Sequence, residues 1–209
     1  MANSPEIIDC EQGSEAWLQA RSGIVTASEF TNVMMTPGPR GGLPAGREKY
    51  MRRLVGELIT GKPEDTYRSK DMERGQEMEA EAREHYAYLK DAKPVRIGFV
   101  KNFGAGASPD SLMGDDGLLE IKTNKPSVLI EIHESCTVPG NSIIPSEHID
   151  QVQGQLWITQ RKWCDYFCYW PGMKPYLVRV PRDERRIAEL KVGVTRFLAE
   201  LKVRYERHK

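Results

Sequence analysis

Between positions 108 and 122 the chain carries Ser108-Pro109-Asp110, nine residues, and then Glu120-Ile121-Lys122. Two carboxylates with a lysine at that spacing are what metal-dependent phosphodiester hydrolysis requires. Side chains of a strand alternate between faces, so Glu120 and Lys122 share one face while Leu119 and Ile121 point the other way, into a core. Asp110, ending the preceding strand behind a proline, is brought beside them by Gly114-Asp115-Asp116-Gly117, which has the composition of a hairpin loop. Carboxylates this close repel and raise each other's pKa unless a hard, oxygen-preferring cation such as Mg²⁺ or Mn²⁺ lies between them. Lys122 would then orient or deprotonate the attacking water, or stabilise charge on the phosphoryl oxygens. The competing reading is a hairpin with a surface Glu120 to Lys122 salt bridge, since this spacing also arises by chance.

Several elements must position these groups. A helix predicted from about Ser69 to Leu89 has an inward stripe of Met72, Gly75, Glu79, Ala82, Tyr86 and Leu89. An unpaired carboxylate among apolar neighbours is costly, so Glu79 needs a partner, a metal shared with Asp110 and Glu120 or an arginine, unless the helix is rotated to leave it exposed. Strands are expected at 94–101, 105–108 and 118–123, forming one meander around the acids. A helix over 146–160 turns Ile149, Val152, Gln153, Leu156 and Trp157 inward, and the buried amide of Gln153 must bond to something, a group near the metal or a backbone carbonyl. Two further strands, at 163–170 and 176–180, precede a helix over 182–207 whose mixed charges suit a solvated face.

Towards the N-terminus, residues 15–21 read as a short helix, and Thr26-Ala27-Ser28-Glu29 reads as a capping box opening a second. Ser28 in a first helical turn, with Arg21, could hold a phosphate; the alternative is that both are simply solvated. Residues 36–47 form a Gly- and Pro-rich loop in which Arg40 and Arg47 suit a DNA-contacting arm or a mobile linker. A helix from about Arg47 to Thr60 is stopped by Gly61 and Pro63.

The 209 residues are expected to form one domain, with N-terminal helices and loop over 1–68, a catalytic core over 69–180 and a terminal helix over 182–207. Thirty basic and thirty acidic residues give zero formal net charge, so contact with nucleic acid must come from local basic clusters. The start of the chain lacks the pattern of a secretory signal and no run of about 18 apolar residues occurs, which reads as a soluble cytoplasmic protein. Cys10, Cys136, Cys164 and Cys168 are too scattered for a disulfide framework or an iron–sulfur cluster, and Cys164 and Cys168 suit core packing. The four histidines show no metal-ligand spacing.

Taken together, Glu11-Gln12-Gly13, Ala16-Trp17, Arg21-x-Gly23, Thr26-Ala27-Ser28, Gly75 with Glu79, Ser108-Pro109-Asp110, Glu120-Ile121-Lys122 and Gln151-Val152-Gln153 with Trp157 resemble the lambda exonuclease type of phage nuclease. This is the alkaline-exonuclease branch of the PD-(D/E)XK superfamily. The resemblance implies an α/β (α+β) fold with a central mixed sheet flanked by helices. It implies a 5′-to-3′ exonuclease that takes a 5′-phosphorylated duplex end, releases mononucleotides and leaves a 3′ single strand for recombination. A ring-shaped homotrimer and a strand-annealing partner come with it. So do two Mg²⁺ ions held by Glu79, Asp110, Glu120 and the main-chain carbonyl of Ile121, with Lys122 serving the nucleophilic water. Arg21, Ser28 and Ser108 match a 5′-phosphate pocket, Gln153 a glutamine supporting the metal ligands, and Met72 a wedge between terminal bases, a core methionine being the alternative. Ser111 stands where glycine commonly follows the aspartate and Arg74 where an aromatic residue precedes Gly75. The rival readings are a structure-specific endonuclease on the same core and a silent DNA-end-binding scaffold. All four of Glu79, Asp110, Glu120 and Lys122 are present, which speaks against the latter.

Overall fold

The computed structural model describes residues 4–36, 42–64, 70–140 and 143–209, apart from the side chains of 70–73, 75 and 76. The first of two four-stranded sheets contains β1 (Glu6–Ile8), β2 (Val25–Thr26), β3 (Phe99–Asn102) and β4 (Ala105–Ala107) in the order β1-β3-β4-β2. The second contains β5 (Ser111–Met113), β6 (Gly117–Lys122), β7 (Trp163–Cys168) and β8 (Tyr176–Pro181) in sequence order, with β6 and β7 parallel and the other pairs antiparallel. The helices are α1 (Glu15–Arg21), α2 (Phe30–Met34), α3 (Ala45–Thr60), α4 (Lys70–Lys90), α5 (Pro126–Cys136), α6 (Ser146–Thr159) and α7 (Glu184–His208).

The expected single meander is in fact divided between the sheets. β3 and β4 form a hairpin that pairs with β1 and β2, whereas β6 takes as its partner β5, a short strand immediately after Asp110. Pro109 lies at the crossing; without an N–H it cannot extend the β4 ladder, and the chain leaves one sheet for the other. The Thr26 to Glu29 capping box is also absent. Thr26 makes no side-chain cap, its hydroxyl meeting that of Ser28 at 3.2 Å. Glu29 bonds Asn32 and Arg53 instead, so residues 27–29 form a 3₁₀ turn ahead of α2.

Core packing explains the remaining placements. One face of β6, with Leu118, Glu120 and Lys122, looks towards α6, where Leu118 joins Val152, Leu156, Cys164 and Tyr166. The opposite face, Leu119 and Ile121, packs on Ala82 and Tyr86 of α4. Leu89, at the end of the α4 stripe, is exposed. On its far side α6 gives Trp157 and Ile158 to a second core with Phe30, Met51 and Leu54. Every residue of α6 from Val152 to Ile158 is therefore buried. In α7, Ile187, Leu190, Val194, Phe197 and Leu201 recur at helical spacing and are buried, leaving the charged residues outward. α3 ends at Gly61 with φ 67°, the left-handed stop expected there. All four cysteines are free, with Cys136, Cys164 and Cys168 buried in the core. Among the described residues no helix is long and apolar enough to cross a membrane.

Candidate active site

The β5–β6 hairpin sets the centre of the site. Ser111 pairs with Leu119, which leaves Asp110 beside the Glu120 position, and Asp110 Oδ2 accepts the Ile121 N–H at 2.5 Å. Strand alternation puts Lys122 two residues on, with its Nζ 2.8 Å from Glu120 Oε1. The remaining bonds to Glu120 come from α6: Gln151 Nε2 donates to Oε1 at 2.6 Å and Gln155 Nε2 to Oε2 at 2.7 Å. Gln151 also accepts from Lys122 Nζ at 3.1 Å. These two amides, four residues apart and so on one helical face, grip the acid and the ammonium together.

Gln153 has no part in this cluster. Two residues along a helix is about 200° of rotation, so it faces away from Glu120. Its Nε2 bonds the Pro181 carbonyl at 3.0 Å, and its Oε1 accepts the Asp183 N–H at 2.9 Å, tying α6 to the start of α7. Gln151 and Gln155 are the site glutamines. The sequence signal for them was their i, i+4 spacing, masked because α6 is buried on more than one side.

Glu79 approaches from α4, on the opposite side of β6. It ion-pairs with Arg83, whose Nε donates to Ser111 Oγ at 3.1 Å, and that hydroxyl bonds the Asp110 carbonyl at 2.6 Å. Ser111, the departure from glycine after the aspartate, thus links the helix-borne acid to the Asp110 backbone. Among the described residues no three His, Cys, Asp or Glu side chains gather into a ready-made cation site. Glu79 is turned to Arg83 and Glu120 to the α6 amides. The electrostatics nonetheless register crowding of negative charge. Desolvation, then the charges of Glu120 and Glu79, push the Asp110 carboxyl well above its ordinary value. Burial acts to lower the Lys122 ammonium, but Glu120 and Asp110 outweigh it and hold it raised. His148, one turn before Gln151 on α6, is lowered to about 4 by burial and then by Lys122, so its ring is neutral at physiological pH.

A cavity of about 790 Å³ opens beside this cluster, with Trp17, Arg21, Arg53, Glu79, Arg83 and Arg96 in its walls. Arg21 lies over the Trp17 ring at 4.1 Å, and both donate to Ser108 Oγ, at 3.2 and 2.9 Å. Burial lowers the Arg21 guanidinium to about 10, still charged at neutral pH. Gln12, on the same wall, donates to the carbonyls of Ile97 and Pro109 at 2.8 and 2.9 Å, bracing the residue before Asp110. Arg21 and Ser108 are thus brought together, whereas exposed Ser28 bonds only Thr26 among the described contacts. Arg47 is not on the surface suited to DNA: it is buried between α3 and α7, paired with Glu200 at 2.8 Å and over the Phe197 ring at 5.0 Å. The desolvated ion pair and ring contact fix it inside. Arg40 and the Met72 side chain lie outside the described residues.

Residues 16–162 match the model of the YqaJ-like viral recombinase domain. LHK-Exo from Laribacter hongkongensis, described as an alkaline exonuclease, is 34% identical to the chain and superposes with TM-score 0.80 over 93% of this chain and 95% of that one. LHK-Exo in complex with dAMP gives 34% identity and TM-score 0.82 over 94% and 96%. A phage related exonuclease from Haemophilus somnus 129PT, 13% identical over 89% of this chain and 96% of that one, shares the fold with TM-score 0.67. No curated protein matches the chain.

Proposed function

The chain belongs to the YqaJ-like viral recombinase family, with the mixed α+β fold of the PD-(D/E)XK exonucleases, and is a DNA exonuclease; from that premise we propose that it is Mg²⁺-dependent and resects linear duplex ends 5′ to 3′, releasing 5′-mononucleotides and leaving 3′ single-stranded tails. The observation that carries this reading is the convergence of Asp110, Glu120 and Lys122 at the end of one hairpin, next to a cavity lined by both Arg21 and Glu79.

The donor set fits a hard divalent cation in kind. It offers oxygen alone, and the Asp110 carboxyl, raised first by burial and then by the charges of Glu120 and Glu79, sits beside acids whose repulsion a cation would relieve. Asp110, Glu120, Glu79 and the Ile121 carbonyl are the proposed holders of two Mg²⁺ ions, Glu79 exchanging Arg83 for the metal. Bound there, the ions would activate water and stabilise the departing 3′ oxygen. The chain's own groups do the rest. Lys122 orients the water through an ammonium fixed by Glu120 and Gln151, and the walls of the cavity hold the DNA end in place. Arg21, bonded to Ser108, is proposed to hold the 5′-phosphate of the end, with Ser28 added to that pocket on family likeness alone. That LHK-Exo forms a complex with dAMP supports nucleotide binding by this chain. Met72 as a wedge, Arg40 as a DNA contact, a homotrimeric ring and transfer of the 3′ tail to a strand-annealing protein complete the proposal on family likeness.

The test compares linear duplexes with and without a 5′-phosphate, and closed circular DNA, in Mg²⁺ and in EDTA. Mononucleotides should appear only from linear DNA in Mg²⁺, fastest from phosphorylated ends. Lys122→Ala should abolish cutting while DNA-end binding, followed by gel shift, is retained. Digestion by K122A at the normal rate would refute the role of Lys122, and cutting of closed circles would favour an endonuclease on the same core.

A further inference from the structure

We propose that Gln155 is a positioning residue of this site, fixing the Glu120 carboxylate so that one lone pair remains directed at a divalent cation; the inference rests on the hydrolytic reading above. An ionised carboxylate has about four lone-pair positions. Three are filled in Glu120: two on Oε1, by Gln151 at 2.6 Å and Lys122 at 2.8 Å, and one on Oε2, by Gln155 at 2.7 Å. The terminal torsion of a glutamate is broad and soft. Held at Oε1 alone, the group could swing about that oxygen, whereas a donor on each oxygen fixes its plane. Gln155 is 2% exposed, so it meets no DNA and acts through Glu120.

The other end of the same side chain strengthens the case. Gln155 Oε1 is buried and has no hydrogen-bond partner among the described residues. An unmet acceptor in a packed helix is a destabilising feature that leucine or methionine at this position would remove. Turning the amide over gives no relief, because it would set Oε1 against the carboxylate it now serves. A glutamine that leaves one end unsatisfied inside a core is explained by what its donor end does.

Gln155→Met keeps the volume and removes the donor; Gln155→Ser removes the donor and leaves a small hydroxyl. Mn²⁺ titrated calorimetrically into the full-length protein should bind about 10–100-fold more weakly to either variant. The melting temperature of Q155M in EDTA should be unchanged or higher, and kcat on linear duplex should fall without a matching rise in KM for ends. If Q155M does not fold, Q155S decides the point by the same titration. A folded variant that binds Mn²⁺ as the wild type does overturns the inference and leaves the hydrolytic reading standing. A wild type that binds no Mn²⁺ overturns both.

Discussion

Gln153 uses both ends of its amide on the approach to α7, taking the Asp183 N–H and bonding the Pro181 carbonyl. Replacing it with leucine strands these two backbone groups, so Q153L should lose about 1–3 kcal/mol of stability in urea unfolding. Its exonuclease rate on linear duplex should stay at the wild-type level, since it touches neither acid nor lysine of the site. This residue also marks the limit of what sequence could tell. The pairing of Asp110 with Glu120 and Lys122 was legible, because alternation and a Gly-Asp-Asp-Gly turn dictate which side chains share a face. The choice among Gln151, Gln153 and Gln155 was not. Helical periodicity picks out one inward stripe, and α6 is enclosed on several sides, so a polar residue off the stripe can be as buried as one on it. The partner of Glu79 was left open between a metal and an arginine, and in this structure it is Arg83.

At the scale of elements, α3 and α7 are fastened by a chain of charges. Arg47 meets Glu200, Glu200 meets Arg204, and Arg204 meets Glu48 through two bonds of 2.8 and 2.9 Å. The Arg204 hydrogen bonds hold the Glu48 carboxyl below its ordinary value of 4.5, and for Glu200 the two arginines outweigh a burial that acts to raise it. A carboxyl titrating lower in the fold than in the unfolded chain adds stability above the unfolded value, and that contribution is lost as pH falls below 4.5 through the folded value. Stability should therefore drop in acid with a slope that Arg47→Ala and Arg204→Ala each flatten, read by urea unfolding at about pH 7 and about pH 4. Near neutrality R47A should lose about 1–3 kcal/mol, because Glu200 keeps Arg204 as a partner. Its DNA affinity should be unchanged. The long helices were readable from periodicity and stop signals. β1, β2 and β5, of two or three residues each, lack the length for a pattern to emerge, and α5 has Val128 and Ile130 exposed, which blurs its stripe.

For the whole molecule, α6 is the wall between two cores, its Trp157 side on α2 and the turn at 27–29 and its Leu156 side on the sheet that bears the acids. Gly154 allows this close fit: a Cβ there would lie 2.5 Å from the Phe30 ring. Gly154→Ala should push α6 away from α2 and shift Gln151 and Gln155 relative to Glu120, lowering cleavage of linear duplex at least tenfold while the fold persists, as followed by circular dichroism. Wild-type cleavage by G154A would show that the wall tolerates displacement.

From Asp150 to Ile158 a single side chain of that wall, Gln151, reaches even partway to solvent. Its amide is also the one that joins Glu120 to Lys122. Spectroscopic labels, affinity tags and tolerated natural variation all need an outward position, and this segment offers them none apart from the residue whose alteration would disturb the chemistry. Substitution between Asp150 and Ile158 should accordingly require matched changes in both flanking interiors.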